Sequence, residues 1–214
     1  MDWQAYWDER AKLEGPEGSG WGASVRPMEL FAHLASIAEH LELKPRDVLL
    51  DVGCGTGEIG LHLARHVKVY AGMDSSRNAI EALEACGRGI PNLMTVCASI
   101  TEMPALSVDK ILCSSVLQYL EPEDVGTALR QLRKVVTPGG RCLCSLNPDA
   151  RIKDQYLAGC KDPERRALNE AALWFDQATL LRQANAAGWR AHIKPVDDRI
   201  WQSWYMFDLV MEAK

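Results

Sequence analysis

Apolar and polar positions change period along the chain, and these changes mark predicted strands and helices. Continuous apolar runs bounded by Gly or Pro predict strands at residues 48–52, 67–74, 92–98, 111–115 and 141–146. Helical spacing of apolar positions predicts helices at residues 28–43, 58–66, 76–86, 122–136 and 176–187. Two final strands are predicted at residues 191–196 and 204–211. Strands that alternate with helices in this way predict an α/β fold, an open sheet with helices on both faces.

The first 28 residues are rich in aromatic residues and glycine and have no regular period. We expect a short helix around Trp3, Tyr6 and Trp7, followed by a mobile loop through the glycine-rich residues 15–22. No repeat and no linker divides the chain. Residues 1–43 are therefore expected to be N-terminal lid or cap helices, part of the same domain as residues 44–214.

The composition is that of an ordinary globular protein of 214 residues, 47% hydrophobic and 25% charged. A net charge of -5 gives no electrostatic footprint for nucleic acid, and no apolar stretch reaches the length of a spanning helix. The seven cysteines include no CxxC pair, and the N-terminus lacks the pattern of a signal peptide. We expect a reduced, cytoplasmic protein, monomer or homodimer, without disulfides, metal, nucleic-acid or membrane partners.

The strongest chemical signal is the glycine-rich segment Asp51-Val52-Gly53-Cys54-Gly55-Thr56-Gly57-Glu58, between a predicted strand and a predicted helix. Glycines at such a turn let the backbone approach a ligand and tolerate positive φ. Asp74 ends the next strand, so both segments are expected at the carboxyl edge of a parallel sheet. An acid at that edge can accept two hydrogen bonds from a ribose diol.

The spacing of the glycines bears on which nucleotide is bound. A dinucleotide site has the longer pattern GxGxxG and a helix N-terminus that receives the pyrophosphate. Here the spacing Gly53-x-Gly55-x-Gly57 is one residue shorter, and the acidic Glu58 opens the helix. An adenosine ligand without phosphate therefore fits this turn better than NAD or NADP does. The less favoured alternative, binding of NAD or NADP, would make the protein an oxidoreductase.

Four segments together resemble a known family. The glycine-rich segment is similar to the first motif of the class I S-adenosylmethionine-dependent methyltransferases, which have a Rossmann-like fold. Residues 72–76, 113–120 and 132–140 resemble later motifs of that family, so the match covers about residues 45–146. The resemblance implies an open, mostly parallel seven-stranded sheet whose last strand is antiparallel, with S-adenosylmethionine as cofactor and S-adenosylhomocysteine as product.

The resemblance also implies a set of cofactor-binding residues: Tyr6, Asp51, Gly53, Cys54, Gly55, Gly57, Asp74, Ser75, Ser99, Ile100, Ser114, Ser115 and Tyr119. Asp74 corresponds to the acid that holds the ribose, and Tyr6 to a lid over the methionine end. Ser99 stands where the family often has an aspartate for the adenine amino group, so one hydrogen bond to adenine is expected there.

The reaction implied is attack by a nucleophile on the sulfonium methyl, in line with the departing sulfur. No general base is identified, and the weak catalytic candidates are Tyr119 and Asp149. Tyr119 could face the methyl or hold the cofactor carboxylate, and Asp149 could contact the substrate. His33 and His40 are expected to be solvated or capping side chains.

A small molecule, attacked through oxygen, nitrogen or carbon, is the expected acceptor. Enzymes that methylate amino groups of nucleic-acid bases carry an Asn/Asp-Pro-Pro-aromatic motif after the fourth strand, where this chain has Ser114-Ser115-Val116. Trp21 and Trp201 are candidates for an apolar substrate pocket, and Trp204 is expected in the core. A catalytically idle S-adenosylmethionine-binding domain that acts through a partner remains the alternative from another class.

Overall fold

The chain forms a seven-stranded sheet in a computed structural model that describes residues 1–14 and 27–214. Its strands are β1 (Val48–Val52), β2 (Val69–Asp74), β3 (Leu93–Cys97), β4 (Val108–Ser114), β5 (Val136–Pro148), β6 (Trp189–Pro195) and β7 (Met206–Ala213). Its helices are α1 (Trp3–Glu14), α2 (Pro27–Leu41), α3 (Gly60–Leu63), α4 (Arg77–Cys86), α5 (Asp124–Val135), α6 (Lys153–Gly159), α7 (Pro163–Ala171) and α8 (Gln177–Ala186). The predicted loop at residues 15–22, with Trp21, lies outside the described residues.

The strand order is β3-β2-β1-β4-β5-β7-β6. Every pair from β3 to β5 is parallel, whereas β7 runs antiparallel to both β5 and β6. The predicted open, mostly parallel sheet with an antiparallel last strand is therefore confirmed. The order reverses between β1 and β4, and ligands of open α/β sheets bind at the carboxyl ends of strands at such a point.

The core has two layers, one on each face of the sheet. Leu49 of β1 packs with Ile37 of α2 and Leu83 of α4, whereas its neighbour Leu50 packs with Leu129 of α5 and Leu180 of α8. Successive residues of a strand point to opposite faces, so a strand covered on both faces needs the continuous apolar run that predicted it.

Several element bounds differ from those predicted. The strand expected at residues 141–146 is the longer β5, which begins at Val136, and Gly139 supplies a φ of +74° within it. The helix expected at residues 58–66 is only the short α3 followed by a 3-10 turn, Ala64–His66. Helices α6 and α7 were not predicted, although Asp162 before Pro163 is a helix-start signal: its Oδ1 accepts from the Glu164 N–H at 3.0 Å.

A bulge interrupts β5 between Cys144 and Asn147, where the pairing with β7 shifts register. Leu146 adopts a φ of +58° there, and its N–H donates to Oδ1 of Asp208 at 3.0 Å. The amide of Asn147 donates to the Cys144 carbonyl at 2.7 Å. Side chains thus satisfy the backbone groups that the bulge removes from the ladder.

Trp204 is not a core residue, contrary to the prediction. The last strand begins at Met206 rather than at residue 204, and the preceding 3-10 turn, Trp201–Trp204, leaves Trp204 50% exposed beside Tyr156 and Tyr205. Among the helices of the described residues, none has the length and apolarity needed to cross a membrane.

Candidate active site

A cavity of about 590 Å³ opens at the carboxyl edge of the sheet, next to the point where the strand order reverses. Twelve of the thirteen predicted cofactor residues line it: Tyr6, Asp51, Gly53, Cys54, Gly55, Asp74, Ser75, Ser99, Ile100, Ser114, Ser115 and Tyr119. Gly57 does not line it. A Cβ at Gly57, whose φ is +93°, would overlap Leu83, so this glycine lets the turn pack against α4.

The glycine turn after β1 is held against the end of β2. The N–H of Gly53 and the N–H of Cys54 both donate to the Met73 carbonyl, at 2.7 and 3.1 Å. Gly53 has a φ of +69°, and a Cβ there would overlap Val116. The turn therefore requires glycine both for its backbone conformation and for its contact with the segment after β4.

Asp74 joins the turn to the start of α4. Its Oδ2 accepts from the Gly55 N–H at 3.0 Å and its Oδ1 accepts from the Ser76 N–H at 2.9 Å. A carboxylate can accept about four hydrogen bonds, so each oxygen retains capacity on the cavity side. Burial raises the pKa of Asp74, although its backbone hydrogen bonds oppose the shift.

Asp51 is buried at the end of β1, under the same turn. Its Oδ2 accepts a 2.8 Å hydrogen bond from the Tyr70 hydroxyl. Burial raises the pKa of Asp51 to about 7; the charge of Asp74 acts in the same direction, and the Tyr70 hydrogen bond opposes both. Two carboxyl groups with raised pKa values, Asp51 and Asp74, thus flank the glycine turn.

Helix α1 covers the cavity. Its Trp3 and Trp7 rings lie 4.7 and 5.1 Å from the ring of Tyr119, which follows β4, and Tyr6 stands between them on the cavity wall. Asp8 fixes the helix to the start of α4, because its Oδ1 accepts from the Ser76 hydroxyl at 2.9 Å. Tyr6 thus lines the cavity, and its role as a lid over the methionine end of a cofactor stays a prediction.

The walls beyond Asp74 are built from short hydroxyl side chains. Ser99 forms a 2.8 Å hydrogen bond with the Thr101 hydroxyl and accepts from the Thr101 N–H at 3.2 Å. Ser115 has a φ of +56°, a left-handed conformation that is strained for a residue other than glycine. Ser145 donates to the Ser114 hydroxyl at 2.9 Å.

His33 is buried, contrary to the prediction that it is solvated. Its Nε2 lies 3.4 Å from the Ser114 hydroxyl, and burial lowers its pKa to about 4. The stripe His33, Ile37, Leu41 at intervals of four residues was a signal for this burial. His40 lies partly buried, with Nδ1 3.2 Å from the Ser36 hydroxyl.

The cavity continues away from the glycine turn into a second half, the aromatic half. Its walls come from the segment after β4, from α6 and from the 3-10 turn before β7: Gln118, Tyr119, Tyr156, Trp201, Gln202 and Tyr205. The sequence singled out only Tyr119 and Trp201 among them. The clustering of aromatic residues near the chain ends was a signal for Tyr205, whereas Tyr156 and the glutamines gave none.

Asp149 is not among the residues that line the cavity. Its Oδ1 accepts from the Arg151 N–H at 3.0 Å and its Oδ2 accepts from the Gln177 amide at 2.8 Å. The Arg151 guanidinium lowers the pKa of Asp149. The structure therefore gives this carboxylate a capping role at the end of β5 instead of the predicted substrate contact.

A glycine turn after β1, an acid that ends β2 and a reversed seventh strand together define the class I S-adenosylmethionine-dependent methyltransferase fold. Residues 49–140 match the family model described as "Methyltransferase domain". The matched segment is less than half of the chain, and it supports the resemblance to the class I S-adenosylmethionine-dependent methyltransferases seen in the motifs.

Relatives match this chain over parts of their length. It is 30% identical over 145 residues to chondramide synthase cmdD of Chondromyces crocatus. This alignment covers 64% of this chain and 4% of that protein. It is 32% identical over 124 residues to an uncharacterized RNA methyltransferase of Lactobacillus johnsonii, which covers 54% of this chain and 26% of that protein. The chain thus spans about a quarter or less of the length of these two relatives.

A solved structure shares the whole architecture. The N-methyltransferase NodS from Bradyrhizobium japonicum WM9, in complex with S-adenosyl-L-homocysteine, superposes with a TM-score of 0.75 at 16% identity. The match covers 100% of this chain and 99% of that one. At this level of identity the similarity concerns the fold.

Proposed function

We propose that the protein binds S-adenosylmethionine in this cavity and transfers its methyl group to a small-molecule acceptor. The observation that carries the proposal is the pairing of Asp74 with the glycine turn. Both carboxylate oxygens are held in place by backbone N–H groups at 2.9 and 3.0 Å, so the acid is fixed before a ligand arrives. A fixed acceptor pair at this position suits the two hydroxyls of a ribose.

The remaining residues of this half fit an adenosine without phosphate. Gly53 leaves no room for a side chain, so the backbone itself forms the wall against which a ligand lies. Asp51, Asp74 and Glu58 all line the cavity beside the turn, and these acids disfavour a pyrophosphate and favour a ligand that carries positive charge. Ser99 and Ile100 lie on the same wall, where a hydroxyl and an apolar side chain can contact a planar base.

When bound, S-adenosylmethionine supplies a methyl group on a positively charged sulfur, which is already an activated leaving group. The residues of this chain then have to align the two reactants and keep water out. Helix α1 closes the cavity with Trp3, Tyr6 and Trp7 packed around Tyr119. Burial raises the pKa of Tyr119, so its hydroxyl stays protonated at neutral pH and acts as a hydrogen-bonding, positioning group instead of a base.

Three features support a small acceptor. The cavity volume lies within the range of about 300 to 1,000 Å³ that is typical of small-molecule sites. Helices α1 and α7 meet across it, where Arg10 and Glu164 form an ion pair at 3.6 Å. The net charge of -5 disfavours a nucleic acid as the acceptor.

The cysteine pattern, which includes no CxxC pair, supports a reducing, cytoplasmic setting for the protein.

The test is thermal stabilisation by S-adenosylmethionine, S-adenosylhomocysteine, NAD and NADP, measured side by side. A ligand specific for the folded state adds about 2.7 kcal/mol of stability at a concentration of 100 times its Kd. We expect stabilisation by the two sulfur compounds alone, and a smaller stabilisation in Asp74→Ala. Stabilisation by NAD or NADP instead would overturn the proposal. Tight binding of the cofactor without turnover of any acceptor would favour the alternative function, a catalytically idle S-adenosylmethionine-binding domain that acts through a partner.

A further inference from the structure

Two buried amide oxygens of the aromatic half have no hydrogen-bond partner among the residues that the structure describes. Gln118 is 6% exposed and Gln202 is 9% exposed, and both line the cavity. The Oε1 atom of each accepts no hydrogen bond from any residue that the structure describes. An unmet buried acceptor is costly, and folded proteins keep few of them.

The two glutamines are presented by different elements. Gln118 lies in the 3-10 turn Leu117–Tyr119 after β4, and its Oε1 is the unpaired end of the amide. Gln202 lies in the 3-10 turn Trp201–Trp204 before β7. Two residues that line one cavity, on different walls, thus each keep an unpaired neutral acceptor, an arrangement suited to a ligand that brings N–H or O–H donors.

The surfaces around these amides are aromatic. Tyr156 and Tyr205 have ring centroids 4.6 Å apart, and Trp201 lies 5.6 Å from Tyr205. Tyr119 closes the same half from the side of β4. Flat apolar walls favour a planar ring system, because stacking and edge contacts use the whole face of such a ligand.

The charged side chains at this end of the cavity are engaged with other groups of the protein. The Arg165 guanidinium lies 5.3 Å from the centre of the Trp201 ring, and Arg10 pairs with Glu164. The Asp162 carboxylate accepts from the first N–H groups of α7. The unpaired acceptors of Gln118 and Gln202 are neutral amide oxygens, which suit a neutral donor.

We propose that the aromatic half binds a neutral, planar aromatic molecule that carries at least one N–H or O–H donor, held by Gln118 and Gln202. That this molecule is the methyl acceptor rests on the proposed function; the binding itself does not. The chemical class comprises phenols, neutral aromatic amines and N–H heterocycles.

The experiment uses the full chain and pairs of probes that differ only in the donor. Indole is compared with 1-methylindole, and 2-naphthol with 2-methoxynaphthalene, by calorimetric titration with and without saturating S-adenosylhomocysteine. Two further probes test charge and planarity, 2-naphthoate and decahydro-2-naphthol. The variants are Gln118→Met and Gln202→Met, with Gln183→Met as the matched control, because Gln183 lies on α8 and does not line the cavity.

We expect the donor member of each pair to bind about tenfold tighter than its methylated partner, the typical effect of one or two hydrogen bonds. Gln118→Met and Gln202→Met should each reduce this preference, whereas Gln183→Met should keep it. The naphthoate and the saturated alcohol should bind about tenfold more weakly than 2-naphthol.

Equal binding within both pairs, or strongest binding of the naphthoate, would overturn the inference, as would a preference unchanged in both cavity variants. Absence of probe binding while S-adenosylhomocysteine stabilises the protein would overturn it and leave the proposed function standing. If the protein prefers the donor member of each pair but is not stabilised by S-adenosylhomocysteine, the inference stands and the proposed function is overturned. The two failures are therefore distinguishable.

Discussion

The hydroxyl of Tyr70 donates a 2.8 Å hydrogen bond to Oδ2 of Asp51, and the backbone of Gly60 lies directly against the pair. A Cβ at Gly60 would overlap the hydroxyl and come within 2.7 Å of Oδ2. Asp51 lies one residue before the end of β1 and lines the cavity, whereas Tyr70 belongs to the core on one face of the sheet. The position of Asp51 in the candidate cofactor site therefore depends on how closely α3, the first helix after the glycine turn, packs against Tyr70.

Gly60→Ala is expected to destabilise the protein. The added methyl group must displace either Tyr70 or α3, and overpacking of this kind costs about 1 to 3 kcal/mol. Urea denaturation followed by circular dichroism measures the change. Gly159→Ala is the matched control, because a Cβ at Gly159 meets no atom within 4 Å, and it should leave the midpoint nearly unchanged. Equal midpoints for the two variants would contradict the contact described.

The free energy of unfolding should depend on pH through Asp51. Its pKa is about 7 in the folded protein, against about 3.9 in an unfolded chain. Between these values the folded state binds more protons, so the free energy of unfolding falls as pH rises, by up to about 1.4 kcal/mol per unit. Asp51→Asn cannot ionise, so its stability relative to the wild type should rise from pH 5 to pH 7.

The control for this pH dependence is Asp197→Asn. Arg199 lowers the pKa of Asp197 to about 2, so this carboxylate is ionised in both folded and unfolded states above pH 5. Its stability relative to the wild type should stay constant over the same range. If the free energies of unfolding of the wild type and Asp51→Asn change in parallel from pH 5 to pH 7, Asp51 is ionised in the folded protein over that whole range, which would contradict the prediction.

Asp74→Ala is expected to weaken binding of S-adenosylhomocysteine. Loss of a hydrogen-bonding charged partner costs about 1 to 3 kcal/mol, which corresponds to roughly 5- to 150-fold in Kd. Isothermal titration calorimetry at pH 8 measures the change. Asp74→Asn should fall between wild type and Asp74→Ala, because one oxygen acceptor remains. Asp198→Ala, at an exposed aspartate, should bind as the wild type does.

Asp8→Ala is expected to speed the release of a bound cofactor product. The Asp8 carboxylate anchors α1 through the Ser76 hydroxyl at 2.9 Å and the Asn78 N–H at 3.3 Å, and it contributes little to the core. We expect S-adenosylhomocysteine to dissociate about three to ten times faster, with little change in melting temperature. Stopped-flow tryptophan fluorescence is suited to this measurement, because Trp3 and Trp7 lie on the cavity.

Glu9→Ala provides the comparison for the anchoring role of Asp8. Glu9 is exposed and pairs only locally with Lys12, a type of surface contact that contributes little to stability. Its release rate should match that of the wild type. Identical rates for the two variants would show that α1 does not control the exit of the ligand.

The fold could be predicted because local sequence and sheet position impose the same pattern. β1 must be apolar at successive residues, since Leu49 and Leu50 enter different layers of the core. Asp176 and Gly188 marked the ends of α8, where the structure has an N-cap hydrogen bond to Thr179 and a φ of +91°. The glycine turn and Asp74 were found in the same way, because their roles depend on backbone conformation and strand order.

The aromatic half could not be predicted, because contacts between distant segments create it. Tyr156 and Tyr205 are almost fifty residues apart, and neither lies in a motif with fixed spacing. Gln118 and Gln202 are ordinary polar residues until the fold buries them. Asp149 followed the rule that strand ends carry function, but Arg151 and Gln177 occupy its carboxylate.

Most residues of the two halves of the cavity come from separate stretches of the chain, and of the aromatic half only Gln118 and Tyr119 lie in the first stretch. Residues around Asp74 and the glycine turn all precede residue 120, whereas Tyr156, Trp201, Gln202 and Tyr205 all follow residue 150. β5 lies between the two stretches and forms part of the shared sheet. A genetic crossover within β5 would therefore exchange the walls formed by Tyr156, Trp201, Gln202 and Tyr205 and inherit those formed by the glycine turn and Asp74, so the ligand of the aromatic half can change while the candidate cofactor site is kept.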